Sequence, residues 1–394
     1  MPLLKLHDRI TDNLDRNNYC VGVFIDLSKA FDTINHEILF SKMEHYGIRG
    51  LPLYLLKSYL TNRRQYVTYK SAISNVENIR YGVPQGSILG PLLFFLYIND
   101  LPKVSNILSF LIFADDTTII YSHPNLPDLV KTLNLELNKL SDWFSASRLS
   151  LNVSKTNFIS FGSRWRQGEL QRDQQNLEVI INNETVSRVF STKFLGILID
   201  NKLSWHEHIN YISLKISRSL HVMNRIKYLI PTQALLSLYY SLIYPHLNYC
   251  TIVWGSAEKS ALNGLKLLQN RAVRIISKNQ RLAHTEPIFN NLRLLKLEDI
   301  YNFSCLTFMY KFKNNLLPFA CNDLVTPRLS EQNFYNMRIE QEFTIPKHRT
   351  MVRERVIKIR GPKLWNKLPS EIKNLSSIYN YKKCLKQYIF QNYH

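Results

Sequence analysis

The chain has 394 residues, 45% hydrophobic and 20% charged, a globular composition long enough for two or three domains. Its five cysteines are scattered with no Cys-x-x-Cys spacing, its longest apolar run is too short to span a bilayer, and Lys5, Asp8, Arg9, Asp12 and Asp15 stand where a signal peptide needs an apolar core. These features argue against a zinc ribbon, a disulfide scaffold, a membrane span and secretion, and an intracellular protein, nuclear or cytoplasmic, is expected. The net charge of +20 is uneven: residues 1–200 carry 21 Lys+Arg against 19 Asp+Glu, and residues 201–394 carry 29 against 11. Such a surplus in one half points to a polyanion such as nucleic acid, because each neutralised phosphate releases condensed counterion.

In chain order, helical spacing over 4–16 predicts a helix packed beside a first strand at 20–26. The period is helical again from Ser28 to Tyr46 (Phe31, Ile34, Ile38, Met43), with Gly47 as the stop. A helix at 51–60 runs into Asn62-Arg63-Arg64, and Gln65 to Tyr69 reads as a strand. Gly82-Val83-Pro84-Gln85-Gly86 is a loop; Ser87 caps and Pro91 opens a helix to about Asn99, apolar on all sides and therefore expected to be buried. Ile107–Phe113 and Thr117–Tyr121 form a predicted hairpin, followed by an amphipathic helix near 126–147 and strands at 155–161 and 193–199. The pattern is that of a layered α+β domain.

From about residue 207 helices dominate (209–227, 232–243, 258–278), with Arg218, Arg225, Lys227, Lys266, Arg271 and Arg274 on polar faces. Boundaries are expected near 205 and 285. The polar segment 322–350 reads as a loop or arm before a helical C-terminus that follows Gly361-Pro362. His206 and His208 lack acidic or cysteine partners and read as surface residues rather than metal ligands.

The chemistry concentrates at Phe113-Ala114-Asp115-Asp116, where two adjacent acids occupy the turn of the predicted hairpin. Unpaired neighbouring carboxylates repel each other and favour nothing in folding unless a cation sits between them. Asp26, at the end of the apolar run Val21–Ile25, supplies a third. Carboxylates from two strand ends can hold a pair of Mg²⁺ ions about 4 Å apart, the arrangement used for phosphoryl transfer by polymerases. A strand-ending acid that only caps the next helix is the alternative for Asp26.

Three blocks in order carry a resemblance. Phe24-Ile25-Asp26-Leu27-Ser28-Lys29-Ala30-Phe31-Asp32 resembles motif A of non-LTR retrotransposon reverse transcriptases, the run from Gly82 to Pro102 resembles motif B and the helix behind it, and Phe113–Asp116 resembles motif C. Leu149–Gly162 and Phe194–Asp200 are similar to motifs D and E, and Gly361 to Pro369 is similar to the C-terminal region of the jockey-like LINE group. The resemblance implies a right-hand polymerase: a palm with partial fingers over 1–205, a helical thumb over 206–285 and a basic, helical C-terminal region over 286–394. It implies RNA-directed DNA synthesis with two Mg²⁺ ions, an RNA template, a DNA primer and dNTPs, and no membrane or obligate protein partner.

Carried over residue by residue, Asp26 and Asp115 would be the main metal ligands, with Asp116 beside them. Phe31 would be a steric gate against the ribose 2′ hydroxyl; its place on an apolar helix face is the bland reading. Leu27, Lys29, Gln85 and Gly86 would contact the incoming nucleotide, and Lys155 would protonate the leaving pyrophosphate, although a surface lysine before a strand is common. Arg63 and Arg64 are phosphate contacts or a solvated turn, and Arg218, Arg225 and Lys227 are candidate nucleic-acid contacts. Few residues precede motif A where the family has longer fingers, and no endonuclease, Cys/His knuckle or RNase H pattern is visible. An N-terminally truncated copy or a fragment of a longer frame is therefore expected, and the alternative function is a catalytically inactive fragment that holds RNA.

Overall fold

The structure, a computed structural model, describes residues 1–162, 177–327, 342–391 and 393. The chain forms two compact units: residues 17–190, and a discontinuous unit that joins residues 1–16 to 191–394. This grouping differs from the expected 1–205, 206–285 and 286–394. The first helix, α1 (Pro2–Asp15), forms where its spacing predicts it, but it is grouped with residues 191–394, whereas the strand it was expected to accompany belongs to residues 17–190.

In the unit of residues 17–190, β1 (Tyr19–Ile25) is followed by α2 (His36–His45), α3 (Leu51–Leu60) and a ribbon of short strands, β2 (Arg63–Gln65), β3 (Thr68–Tyr69), β4 (Ala72–Ile73) and β5 (Glu77–Ile79). Then come α4 (Leu89–Ile98), β6 (Ser109–Phe113), β7 (Asp116–His123), α5 (Leu126–Ala146), β8 (Asn157–Phe161), β9 (Ile180–Ile181), β10 (Glu184–Thr185) and β11 (Ser187–Arg188). The main sheet has the order β11-β8-β1-β7-β6, antiparallel except for β11 against β8. Side chains alternate along a strand, and in β1 the odd positions Tyr19, Val21, Val23 and Ile25 join one core with Leu39 and Met43 of α2, Leu93, Phe94 and Tyr97 of α4, and Leu129, Leu133 and Leu137 of α5. Helices thus cover that face, and Asp26 falls in the even set on the other face.

Three expectations change here. The helical period from Ser28 to Tyr46 yields only α2, because Lys29 takes a left-handed turn (φ 48°) whose carbonyl accepts from Asp32 N and Thr33 N; the helix starts anew at Asn35, whose side chain accepts from Ile38 N at 3.0 Å. The helix α4 is apolar all round, yet Leu92 and Phe95 are 54% and 47% exposed, so only one side of it reaches the core. The strand expected over Gln65–Tyr69 is divided between β2 and β3.

In the other unit, β12 (Ser191–Phe194) and β13 (Ile197–Asp200) form a hairpin where one strand at 193–199 was expected. Its two turn residues, Leu195 and Gly196, both have positive φ (46° and 81°), the twist that a two-residue hairpin needs. Helices follow: α6 (His206–Ile226), α7 (Thr232–Leu242), α8 (Lys259–Ile276), α9 (Leu297–Lys313), α10 (Ile357–Trp365) and α11 (Ile378–Gln391), with shorter turns between them. Gly361 and Pro362 lie inside α10 rather than ahead of a helix. Of the expected polar arm at 322–350, Phe319–Leu324 is a 3-10 turn and Pro327 bridges Phe343; residues 328–341 lie outside the described residues.

A buried arginine explains why α1 joins this unit. Arg353 Nη1 reaches Asp8 Oδ1 at 2.6 Å and Thr11 Oγ1 at 3.0 Å, and its Nη2 reaches Asp12 at 3.1 Å. Asp15 meanwhile accepts from the backbone of Arg349 and Thr350 and from the Thr350 hydroxyl. A guanidinium taken out of water needs its donors filled, and one face of α1 fills them.

Candidate active site

The acids converge through strand register. β1 pairs β7 with Ile25 opposite Thr117, so one step further Asp26 stands beside Asp116. Across the β6–β7 hairpin Phe113 pairs with Asp116, leaving Ala114-Asp115 as the turn; Asp116 opens β7 rather than sharing that turn. Ala114 holds φ 53°, a conformation that a non-glycine residue adopts at some cost, and it sets the turn that carries Asp115. Asp26 is half-buried, and Asp115 and Asp116 are exposed. Desolvation pushes the Asp116 carboxyl up first, and the charges of Asp115 and Asp26 push it further. Among the described residues none of the three has a cation partner.

No three acidic, histidine or cysteine side chains among the described residues close around one point as a complete metal cage. The donor set nonetheless fits a hard divalent cation: carboxylate oxygens at two adjoining strand ends, mutually repelling and unpaired. Mg²⁺ is commonly held by one or two carboxylates together with substrate phosphates, so an open set is what such a site needs.

Asp26 is fixed by the segment that follows α5. Ser28 N donates to Ser150 O at 2.9 Å, Asn152 N donates to Asp26 O at 2.9 Å, and Asp26 N donates to the buried Thr156 hydroxyl at 3.2 Å. That hydroxyl in turn donates to Asn152 O at 2.9 Å. Sequence reading passed over Thr156 and Asn152, since nothing in their spacing marks a contact with a strand so distant in the chain. Lys155, between them, is exposed. Leu27 is a core residue bridged to Leu151, with its side chain buried. Lys29 is exposed in its turn.

The loop at 82–86 is bound to the turn after Asp26. Gly82 N donates to Ile34 O, Val83 N donates to Phe31 O, His36 Nε2 donates to Gly82 O at 2.7 Å, and Gln85 Nε2 donates to Asp32 Oδ1 at 2.8 Å. Gly82 is required: at φ 81°, a Cβ there would lie 2.7 Å from Asp32 O. Gly86 has φ 79° but open space around it, and Gln85 beside it is exposed. Phe31 is half-buried with its ring 4.8 Å from that of Phe94. The structure thus gathers Asp26, Asp115 and Asp116 at neighbouring strand ends on one side of the sheet, and Phe31 and Gln85 on the turn and loop that follow.

Arg63 and Arg64 lie on β2, apart from the acids in sequence and on the exposed ribbon. In the other unit Arg218 and Arg225 are exposed on α6, and Lys227 follows it with its ammonium 4.9 Å from the Tyr228 ring. The same helix contributes to a cavity of about 170 Å³ that sequence reading missed, where Lys193, Tyr211, Lys215 and His246 meet and no acid is among the lining residues. Both ammoniums approach the Tyr211 ring, at 6.0 and 4.5 Å. His208, expected at the surface, is buried because it shares a helical stripe with Ile212 and Ile216; burial first, and then His246, lowers its pKa to about 4.

Comparison with known proteins agrees with this geometry. The chain is 28% identical over 310 residues to the probable RNA-directed DNA polymerase from transposon X-element of Drosophila melanogaster, covering 76% of this chain and 33% of that protein. It is 29% identical over 299 residues to the RNA-directed DNA polymerase from mobile element jockey of the same species, covering 73% and 31%. The chain therefore spans about a third of the length of the curated relatives it matches. A solved apo telomerase from Candida tropicalis is similar at 12% identity and a TM-score of 0.38, over 81% of this chain and 56% of that one, a likeness too slight to add to the others. The reverse transcriptase (RNA-dependent DNA polymerase) family matches residues 2–216, more than half of the sequence and all of the acid cluster with the loops that hold it: the chain belongs to that family, with jockey-like elements as its relatives.

Proposed function

We propose that this chain carries out RNA-directed DNA synthesis, adding dNTPs to the 3′ hydroxyl of a DNA primer on an RNA template. The observation that carries the reading is the meeting of Asp26 with Asp115 and Asp116 across the β1–β7 register, without a cation partner among the described residues. Reverse transcriptases generally use divalent metal ions; here two Mg²⁺ would be held by Asp26 and Asp115 with Asp116 beside them. Bound there, the metal supplies charge neutralisation at the triphosphate and activation of the primer hydroxyl.

The chain's own residues do the positioning. Thr156 and Asn152 fix the backbone of Asp26, so its carboxyl need not be ordered at the moment of reaction. Gly82 and His36 hold the 82–86 loop, placing Gln85 and the open backbone of Gly86 for contact with a nucleotide. Phe31 is the bulk that would exclude a 2′ hydroxyl, and its packing against Phe94 restrains the ring. Lys155, exposed, is the candidate proton donor to pyrophosphate. The cations of the other unit, Arg218, Arg225 and Lys227 together with the Lys193–Lys215 cavity, would hold nucleic-acid phosphates. The palm, fingers and thumb division, and an intracellular site suited to five free cysteines, belong to the same proposal.

The test is primer extension on an RNA template with Mg²⁺ and dNTPs. Extension that vanishes in Asp115→Asn supports the reading. Absence of extension in the wild-type chain, with salt-sensitive RNA binding retained, would leave a nucleic-acid holder and defeat it.

A further inference from the structure

Between Thr61 and Arg80 every residue is exposed except Arg63 and Ile79, which are half-buried. The segment is a narrow ribbon: β2 pairs β5, β3 pairs β4, and Val67 joins Ser74 through two hydrogen bonds, from Ser74 N to Val67 O and from Val67 N to Ser74 Oγ. A two-stranded ribbon that buries neither face is marginal in water. This one also presents Tyr66 and Tyr69 at 60% and 72% exposure, with Val67, Ile73 and Tyr81 exposed as well.

Charge decides what would cover it. Arg63, Arg64, Lys70 and Arg80 stand among the tyrosines, against the single acid Glu77, and among the described residues none of the four cations has a carboxylate partner. Lys70 and Tyr69 already place an ammonium 5.6 Å from a ring centroid. Aromatic rings interleaved with unpaired cations are the surface that unpaired nucleotides favour: every base has a π-face to stack, and every phosphate a charge to neutralise. The other exposed apolar stripes of this unit, Leu51, Tyr54 and Leu55 on α3 and Ile88, Leu92 and Phe95 by α4, carry no unpaired cation and give no such indication.

We propose that the Thr61–Tyr81 ribbon is a stacking surface for unpaired RNA, the strand that the acids would copy. The inference rests on the RNA-directed reading of the acid cluster and adds to it the element that holds the template before pairing. Stacking is worth about 1–3 kcal/mol per base, so losing two rings should weaken binding roughly thirtyfold or more.

The experiment measures fluorescence-anisotropy titration of the full chain, in chelator so that no metal chemistry intrudes. Its probes are an RNA single strand of about 12 nucleotides, an abasic strand of equal length, a blunt duplex and a DNA single strand. Tyr66→Ala/Tyr69→Ala should lose about thirtyfold or more on single-stranded RNA and under about twofold on the abasic strand and the duplex. Tyr66→Phe/Tyr69→Phe, which keeps both rings, should bind like wild type. Arg64→Ala/Lys70→Ala should weaken all four probes and lower the salt slope on single strands by about 1.4. Equal losses on abasic and intact RNA, wild-type affinity in the double alanine variant, or ring dependence confined to DNA would each overturn the proposal. Primer extension, run separately, distinguishes the two readings. Ring-dependent binding without Asp115-dependent extension keeps the ribbon and removes the polymerase; extension with ring-independent binding does the reverse.

Discussion

The two compact units differ in their charge balance and in where acids are left unpaired. Residues 17–190 carry 17 Lys+Arg and 15 Asp+Glu, whereas the unit of 1–16 and 191–394 carries 33 and 15. In the second, several acids are paired, Asp8 and Asp12 to Arg353, Glu286 to Lys296, Glu342 to Lys313 and Glu354 to Lys363, and cations are left over on its exposed helices. The nearly neutral unit pairs acids as well, Glu44 to Lys57, Asp100 to Lys42 and Glu136 to Lys139, but it leaves three carboxylates together without a cation among the described residues. Matched charges there are part of folding, and unmatched ones here are a standing cost that only a ligand removes. Stability and function are thus carried by carboxylates of the same chemistry in different company.

Substitutions can break that contrast. The largest effect is expected from Asp115→Asn or Asp26→Asn, where loss of a metal-binding carboxylate should lower extension by on the order of 10³, several kcal/mol of transition-state stabilisation. Thermal melting without metal should show no loss of stability in these variants. A destabilisation comparable to the activity loss would mean the acids are structural, and the contrast would fail. Arg353→Ala makes the reciprocal case: it strands Asp8 and Asp12 and should cost about 3–5 kcal/mol. A denaturant midpoint that stayed at the wild-type value would show that α1 is not held by this arginine.

Smaller changes sharpen the comparison. Thr156→Val removes the hydroxyl between Asp26 N and Asn152 O and should lower extension about tenfold, the equivalent of one hydrogen bond left unmade. Thr156→Ser should restore it, and failure of serine to rescue would show that the methyl group, not the hydroxyl, matters.

The helical unit should also be the acid-sensitive one. His7 is fully buried with its ring 5.4 Å from that of Trp205, and burial first, then Arg353, lowers its pKa from 6.5 to about 3. A depressed histidine is neutral when folded and takes up a proton on unfolding, so its contribution is complete above its ordinary value and declines as pH falls from about 6.5 towards 3. The slope is about 1.4 kcal/mol per pH unit for one such site. Melting of wild type and His7→Phe across that range should converge on acidification; parallel curves would remove His7 as the cause.

How much of this was legible in the chain depends on the range of the interaction that decides it. The apolar runs that flank Asp115-Asp116 and end at Asp26, and the helical readings of 51–60 and 126–147, record short-range preferences, and the corresponding strands and helices form where expected. The motif blocks named the acids because their neighbours in sequence are also their neighbours on the strands. The helical reading of Ser28–Tyr46 failed because period alone does not reveal that Lys29 turns left-handed to let Gly82 dock on Asp32. Reading α4 as buried all round failed because hydrophobicity says nothing of whether a second surface exists to cover it.

By itself, then, the sequence determined most strands and helices of residues 17–190, the position of Asp26, Asp115 and Asp116 at strand ends and the charge asymmetry of the chain, all set by local pattern and composition. Tertiary structure alone decided that α1 joins the distant Arg353 and that Thr156 holds Asp26. It also decided that Lys193, Lys215 and His246 share a cavity and that the 61–81 ribbon keeps its tyrosines in water. Each of these joins residues far apart in the chain, or depends on what lies over a surface. Such partners meet only after loop-closure entropy has been overcome by packing elsewhere, and they leave no period in the sequence from which to read them.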